Sequence, residues 1–219
     1  MKNLVLIPAR SGSKRLKNKN KLMLNGIPLV EHTIRFATKY KLSNYILIST
    51  DDQEILNIAF KYKILTPWLR PKNLCRDNSK SISFAMHAIR WFEKTFGKLD
   101  NIILLQPTSP FRSIKTFKKM YQFFLKQKHS VVTVNKLLKK DKKIYSIKNN
   151  KLLNMKINNK TNVNISGNIY INSVKNLRMQ RNFVNIHSLP YLIDNEDELI
   201  DIDYKSDFEN AKKKFNKKK

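Results

Sequence analysis

Four short apolar runs, Leu4–Ile7, Tyr45–Ile48, Ile102–Leu105 and Val131–Val134, are separated by stretches in which apolar residues recur every three or four positions. A short continuous apolar run suits a strand covered on both faces, and the intervening period suits a helix with one buried face. The helical faces are Val30, Ile34 and Ala37 with Phe36; Ile55, Ile58, Ala59 and Tyr62; Ile82, Ala85, Ile89 and Phe92; and Ile114, Phe117, Tyr121 and Phe124. Asp51 or Asp52 is placed to cap the second of these helices and Ser113 the fourth. Strand and helix alternating in this way predict an α/β fold, a Rossmann-like, doubly wound and mostly parallel sheet.

The alternation stops near Leu137. Residues 137–165 are rich in Lys and Asn, with Ile-containing stretches at Ile144–Ile147 and Leu152–Ile157, and read as a hairpin or an excursion from the main sheet. An apolar strand returns at Asn168–Ile171, and a poorly defined segment runs to Pro190. Leu199–Asp203 then leads to a last helix starting near Ser206, with Phe208, Ala211 and Phe215 on one side and the charged tail Lys217–Lys219 behind it. There is no internal repeat and no linker long enough to separate independent domains, so residues 1–219 are expected to form one domain.

The net charge of +28 raises nucleic acid as a partner. Against it, 35 lysines stand beside only 9 arginines, scattered among Asn and Ile. Readers of bases and phosphates favour the bidentate Arg fork in a stripe. The charge therefore reads as a solvated Lys-rich surface, able to steer anionic substrates. Cys75 is the only cysteine, which excludes a disulfide framework and reads as a small packing residue. No apolar stretch approaches the length of a membrane span, and the first strand begins within three residues of Met1, so a cytoplasmic setting is expected. His32, His87, His129 and His187 have neither metal-ligand spacing nor triad logic.

The first strand breaks at Pro8 into Ala9-Arg10-Ser11-Gly12-Ser13-Lys14-Arg15, running on to Lys19 and Asn20. Small residues let the backbone approach an oxyanion, its N–H groups can bind one, and Arg10, Lys14 and Lys19 add charge. The third strand delivers Gln106-Pro107-Thr108-Ser109-Pro110-Phe111-Arg112, where an open α/β sheet binds ligands. The prolines fix its path, while Gln106, Thr108, Ser109 and Arg112 offer hydrogen bonds; an ordinary turn capped by Ser113 is the other reading. Asp201-Ile202-Asp203, if extended, presents two carboxylates on one face, a hard-oxygen site for Mg²⁺ or simply a solvated acidic patch. Leu69-Arg70-Pro71, with Leu74 and Asp77, precedes Ser79, Ser81 and Ser83 at a helix start that can bind an anion or merely be capped by a serine.

In order along the chain, Ile7–Lys14, Ile48–Asp52, Leu69–Pro71, Leu105–Arg112 and Asp201–Asp203 resemble the acylneuraminate cytidylyltransferases, the CMP-sialic acid synthetases. The opening loop is shared with other sugar nucleotidyltransferases; Gln-Pro-Thr-Ser-Pro-x-Arg together with the late Asp-x-Asp is far more specific. The resemblance implies a nucleotide-diphospho-sugar transferase type of fold, with Arg10, Ser11, Gly12 and Lys14 around the triphosphate and Lys19 and Asn20 close to the nucleotide. It puts Arg70 and Ser81 near cytosine and ribose, Gln106 beside the nonulosonic acid, and Mg²⁺ on Asp201 and Asp203. It also implies a homodimer, with an excursion at about residues 137–170 reaching the neighbouring subunit. The family usually reads Asn-Gly-x-Ile-Tyr-Ile after an Arg that approaches the sugar carboxylate from the partner. Here Asn164-Ile165-Ser166-Gly167-Asn168-Ile169-Tyr170-Ile171 puts Ser at 166 and Asn at 164, and Asn lacks the charge-assisted fork; Lys160 is the substitute considered.

The expected reaction is attack of the anomeric hydroxyl of a sialic-acid-like nonulosonic acid on the α-phosphate of CTP, giving the CMP-sugar and pyrophosphate. Asp203 and the cations Arg10, Lys14 and Lys19 would carry the catalysis. The rival sugars are legionaminic, pseudaminic and 3-deoxy-manno-octulosonic acid. A basic nucleic-acid-binding protein and a non-catalytic family member are the readings from other classes.

Overall fold

The computed structural model describes residues 1–76, 79–136, 145–148, 151–154, 162–185 and 187–216. Asp77, Lys160, Ile144, Ile157 and the tail Lys217–Lys219 lie outside the described residues. The chain begins with β1 (Asn3–Pro8), a small hairpin of β2 (Met23–Leu24) and β3 (Ile27–Pro28), α1 (Leu29–Lys39), β4 (Tyr45–Ser49), α2 (Gln53–Lys61), α3 (Ser81–Phe96) and β5 (Asn101–Leu105). It continues through α4 (Ile114–Gln127), β6 (Val131–Lys136), β7 (Tyr145–Lys148), β8 (Lys151–Asn154), β9 (Asn162–Ser173), α5 (Val174–Gln180), β10 (Leu189–Leu192) and α6 (Lys205–Asn216).

The main sheet runs β10-β6-β9-β5-β1-β4, with β7 and β8 attached to the outer half of β9. Strand β1 lies parallel to both β4 and β5, and β10 parallel to β6, whereas β9 is antiparallel to β5 and β6. The mostly parallel doubly wound sheet is thus present, with one reversed strand in its middle. Each of the four apolar runs is a strand buried on both faces. Val5 and Ile7 of β1 face α1, α2 and α4, while Leu4 and Leu6 face α3 and α5. A third cluster packs α6, through Phe208 and Ala211, against Leu24, Leu29, Phe111 and Ile202.

The helical faces read from the sequence are the buried ones, and α2 is capped by Asp52, whose side chain accepts from the N–H groups of Glu54 and Ile55. Ser113 caps α4 as expected. The segment before Pro190 holds two elements that the periodicity did not reveal. Helix α5 buries only Val174 and Leu177, and β10 is an edge strand, where Pro190 is tolerated because a lost donor faces outward. Among the described residues of 137–170, β7 and β8 pair antiparallel and β9 begins, its inner half from Ile169 to Ser173 pairing with β5.

Between β6 and β9 the register breaks: Val132 pairs with Tyr170 and Val134 with Ile165, so residues 166–169 stand opposite Thr133 alone. The Thr133 hydroxyl fills the gap, donating to the Ile169 carbonyl and accepting from its N–H at 3.1 and 3.0 Å. The bulge thus faces the middle of β6 and, through Ile169 paired with Leu105, the C-terminal end of β5, from which the second loop departs.

Asp52→Ala removes the α2 cap and one partner of Lys21, an ion pair of 3.1 Å. It is expected to cost about 1 kcal/mol, seen as a lower urea midpoint with unchanged slope.

Candidate active site

The cleft opens beyond the carboxyl ends of β1 and β5. Its inner chamber, about 360 Å³, is lined by Pro8, Arg10, Lys19 and Asn20 from the first loop and by Gln106, Pro107 and Thr108 from the second. Arg70, Ser79, Ser81 and Phe84 form one wall, and Asp201 and Asp203 another. An outer chamber of about 350 Å³ is bounded by Arg10, Ser13, Lys14, Arg15, Lys19 and Asp203. Segments from both ends of the chain therefore converge at one place.

The opening loop is held open from behind. Asp51 accepts from the Ser11 N–H at 2.8 Å and its hydroxyl at 2.9 Å, while the buried Asn20 side chain donates to the Arg10 carbonyl at 2.9 Å. Asp51 is therefore a loop anchor and Asp52 the helix cap. Burial pushes the Asp51 carboxyl up, but the Ser11 hydrogen bonds and the charge of Arg70 hold it below its ordinary value. Arg10 donates to the Cys75 carbonyl at 3.1 Å, which aims its side chain across the cleft. Ser11, turned to Asp51, and Gly12, with open space around its Cβ position, do not line either chamber of the cleft.

Arg70 is almost fully buried: its Nε donates to the Ser49 hydroxyl at 2.9 Å, a second donor meets the Ser49 carbonyl, and its plane lies 4.7 Å from the Phe84 ring centre. Burial lowers its pKa, against the nearby charge of Asp51, yet a guanidinium stays protonated. Ser81 opens α3, whose N-cap is Lys80 without a side-chain cap, so the N–H groups of that first turn meet the cleft wall uncapped by a serine.

In the second loop, Gln106 and Thr108 face the cleft, but Ser109 is buried beneath it and Arg112 points away. Arg112 donates to the carbonyls of Asn168, at 3.1 Å, and Gln106, and to the Thr33 hydroxyl at 2.9 Å. The Ile202 N–H donates to the Thr108 carbonyl at 2.8 Å, and the Ile202 side chain is fully buried. That pins Asp201 and Asp203 outward on either side of it, as the alternation predicted, although no strand forms there. His32 donates its Nε2–H to the Leu24 carbonyl at 2.8 Å, and His87 packs edge-on against Trp68, so both are structural.

Asp203 lies between Lys19, at 2.7 Å, and Arg15, at 2.5 Å. Burial raises its pKa, but the Lys19 hydrogen bond and both cations outweigh that and hold it below the ordinary carboxylate range. Asp201 reaches the cleft surface while protein crowds its other sides. Burial, with the like charges of Asp203 and Asp207, pushes its pKa up against a Thr108 hydrogen bond and Lys19. Two hard-oxygen donors at a cationic cleft fit a divalent cation. Among the described residues no group of three acids, histidines or cysteines is placed to hold a metal, so further ligands would come from substrate and water. Arg15, stacked 5.2 Å from the Tyr204 ring, is a cleft residue that sequence reasoning did not single out, though it stands within the cationic loop.

The model of the family described as Cytidylyltransferase matches residues 4–218. The chain belongs to the cytidylyltransferase family. It is 33% identical to CMP-N,N'-diacetyllegionaminic acid synthase of Legionella pneumophila, over 93% of this chain and 91% of that one. It is 34% identical to N-acylneuraminate cytidylyltransferase of Escherichia coli, over 96% of this chain and 51% of that protein. Pseudaminic acid cytidylyltransferase of Campylobacter jejuni is 34% identical over 57% of this chain and 54% of its own. Among solved structures, a CMP:2-keto-3-deoxy-manno-octonic acid synthetase complexed with CTP shares the fold, with a TM-score of 0.73 at 15% identity over the full length of both chains. No described helix is long and apolar enough to cross a membrane.

The two carboxylates respond to pH with opposite signs. Raised above its ordinary value, Asp201 costs stability at neutral pH, and the cost fades as pH falls through its raised pKa. Asp203, depressed, adds stability above its ordinary value that is lost as pH falls through the lowered one. In metal-free buffer Asp201→Asn should melt higher than the parent at pH 7 and converge with it towards acid, whereas Asp203→Asn should melt lower at pH 7. Melting curves from pH 7 to pH 3 check both.

Proposed function

We propose that the chain transfers CMP from CTP to the anomeric hydroxyl of a sialic-acid-like nonulosonic acid, releasing pyrophosphate. The observation that carries this reading is the junction of the two chambers, where Arg10, Lys19 and Asp203 border both the cationic outer space and the inner space beside Gln106. The outer space suits the β- and γ-phosphates and the inner one the reacting α-phosphate and the sugar. The names of the relatives support CTP and sugar acids of this class as substrates.

Phosphoryl transfer needs chiefly alignment and charge neutralisation. Arg10 and Lys19 would neutralise the reacting phosphate, while Lys14 and Arg15 face the departing pyrophosphate. Arg70, fixed against Phe84 and Ser49, and Ser81, with the first turn of α3, would hold base and ribose, and Gln106 and Thr108 the sugar. Asp201 and Asp203 would hold Mg²⁺, which when bound supplies positive charge to the phosphate oxygens. Binding of the triphosphate would draw Lys19 and Arg15 away from Asp203, since a polyanion offers them more partners than one carboxylate. A homodimer completed through the β7–β9 excursion, and a cytoplasmic setting suited to the lone Cys75, belong to the same proposal.

The test is pyrophosphate release from CTP and Mg²⁺ with a panel of nonulosonic acids. Release with at least one of them is expected; activity only with another nucleotide or sugar class would overturn the reading. Arg10→Ala should lower kcat by about a hundredfold or more with an unchanged melting curve, the usual scale for removing a preorganised charge stabiliser. Asp203→Asn should shift the Mg²⁺ dependence of the rate to higher concentration, and an unchanged titration would remove that carboxylate from the metal site.

A further inference from the structure

Gln106 does not hold its place alone. Gly167, at φ +74°, sits in the four-residue bulge of β9, and a Cβ built on it would lie 2.7 Å from the Gln106 side-chain oxygen and 3.9 Å from an Asp201 carboxylate oxygen. Gln106 thus occupies the space that any other residue at 167 would take. The bulge in turn is held by neighbours on three sides. Thr133 pairs with Ile169. The Ser166 hydroxyl accepts from the Asn168 N–H at 3.4 Å, and the Asn168 side chain donates to the Glu198 carbonyl at 3.1 Å.

The Arg112 guanidinium joins these pieces. Its three donor nitrogens reach the Asn168 carbonyl in the bulge, the Gln106 carbonyl at the start of the second loop, and Thr33 on α1. Burial lowers its pKa to about 9, and Asp201 and Glu198 oppose that in part; Glu198, 3% exposed, accepts from the Thr116 hydroxyl at 2.9 Å. One rigid fork therefore ties the β5 loop to the β9 bulge, and the bulge's own side chain reaches the segment that leads to Asp201. Lysine cannot replace it, since a single ammonium lacks the planar spread of donors needed for three acceptors.

We infer that Arg112 is a positioning residue and Gly167 a specificity-determining one: together they fix the Gln106 amide against the cleft on its sugar-acid side, without touching nucleotide. Resting on the cytidylyltransferase reading above, the inference adds which residues set the sugar half. It also gives Ser166 a place: its hydroxyl shapes the bulge and is turned inward, 6% exposed, so it acts on the sugar through Gly167 and Gln106.

The test uses Gly167→Ala and Arg112→Lys in the full chain. Each should raise KM for the sugar acid about tenfold or more, the scale of a lost charge-assisted hydrogen bond, while the Kd for CTP by calorimetry stays within about twofold. In a Gln106→Ala background the further effect of Gly167→Ala on the sugar KM should shrink well below its effect in the parent, because the clash at 2.7 Å is gone and only the strain of the positive φ is left. Equal losses for CTP and sugar, additive effects in the double variant, or no change in either KM would overturn the inference. A crystal structure of Gly167→Ala reads the same point without turnover: the Gln106 amide is expected to be displaced, and an unmoved amide refutes its coupling to Gly167. A parent protein inactive on every nonulosonic acid would defeat the functional reading alone, and the crystal structure would still decide this one.

Discussion

One backbone hydrogen bond, from the Ile202 N–H to the Thr108 carbonyl at 2.8 Å, decides whether there is a site at all. It fastens a late segment without regular secondary structure to the loop after β5, and the fully buried Ile202 side chain locks the fastening into the cluster beneath α6. A buried isoleucine at the centre of Asp-Ile-Asp leaves the flanking side chains no direction but outward. The carboxylates are therefore placed by hydrophobic burial, and electrostatics then sets their character. Without α6 packed on Leu24, Leu29 and Phe111, the late acids would not meet the early cations.

Those cations and acids are balanced unequally. Asp203 takes both Lys19 and Arg15, whereas Asp201 stands among acids, Asp203 and Asp207, with a Thr108 hydrogen bond as its main support. The two carboxylates, one residue apart, are thus driven to opposite sides of the ordinary carboxylate pKa. A cleft that holds one satisfied and one strained carboxylate is ready for a further cation at the strained one, and for an anion that competes for the cations of the other. Both needs are met by a nucleotide triphosphate arriving with its counter-cation.

Much of this was legible in the residues themselves. The β1, β4, β5 and β6 runs are continuous and apolar because both faces are covered, and such runs need no partner information to be recognised. The motif loops lie where they do because the parallel strands end there. What escaped the sequence were elements without periodic signal: α5, one turn deep in the core, and β10, an edge strand containing Pro190. The roles of Ser11, Ser109 and Arg112 escaped as well. Each belongs to a ligand-facing loop, yet each is turned inward, Ser11 and Arg112 to hold the loop and Ser109 to be buried beneath it, and a composition of hydrogen-bonding groups cannot tell a lining residue from an inward one. Arg15 escaped for the opposite reason, as one more cation in a loop already rich in them, distinguished only by Asp203 and Tyr204 across the cleft.

The charge of +28 ranks differently from what its size suggests. Were the summed field in control, every carboxylate would be held below its ordinary pKa, yet Asp201 is shifted upward. Screening explains the ordering: at physiological salt the Debye length is about 8 Å, so lysines across the surface scarcely reach a carboxylate crowded by protein. Burial and the nearest charges set the chemistry of the cleft, and the scattered lysines are left with the encounter. An anion diffusing towards the protein feels them all, and once inside it meets Arg10, Lys14, Arg15 and Lys19 around the outer space and Arg70 and Arg76 in the wall of the inner one. Changing a cation that lines the cleft changes what it can hold, whereas a lysine far across the surface acts on the encounter.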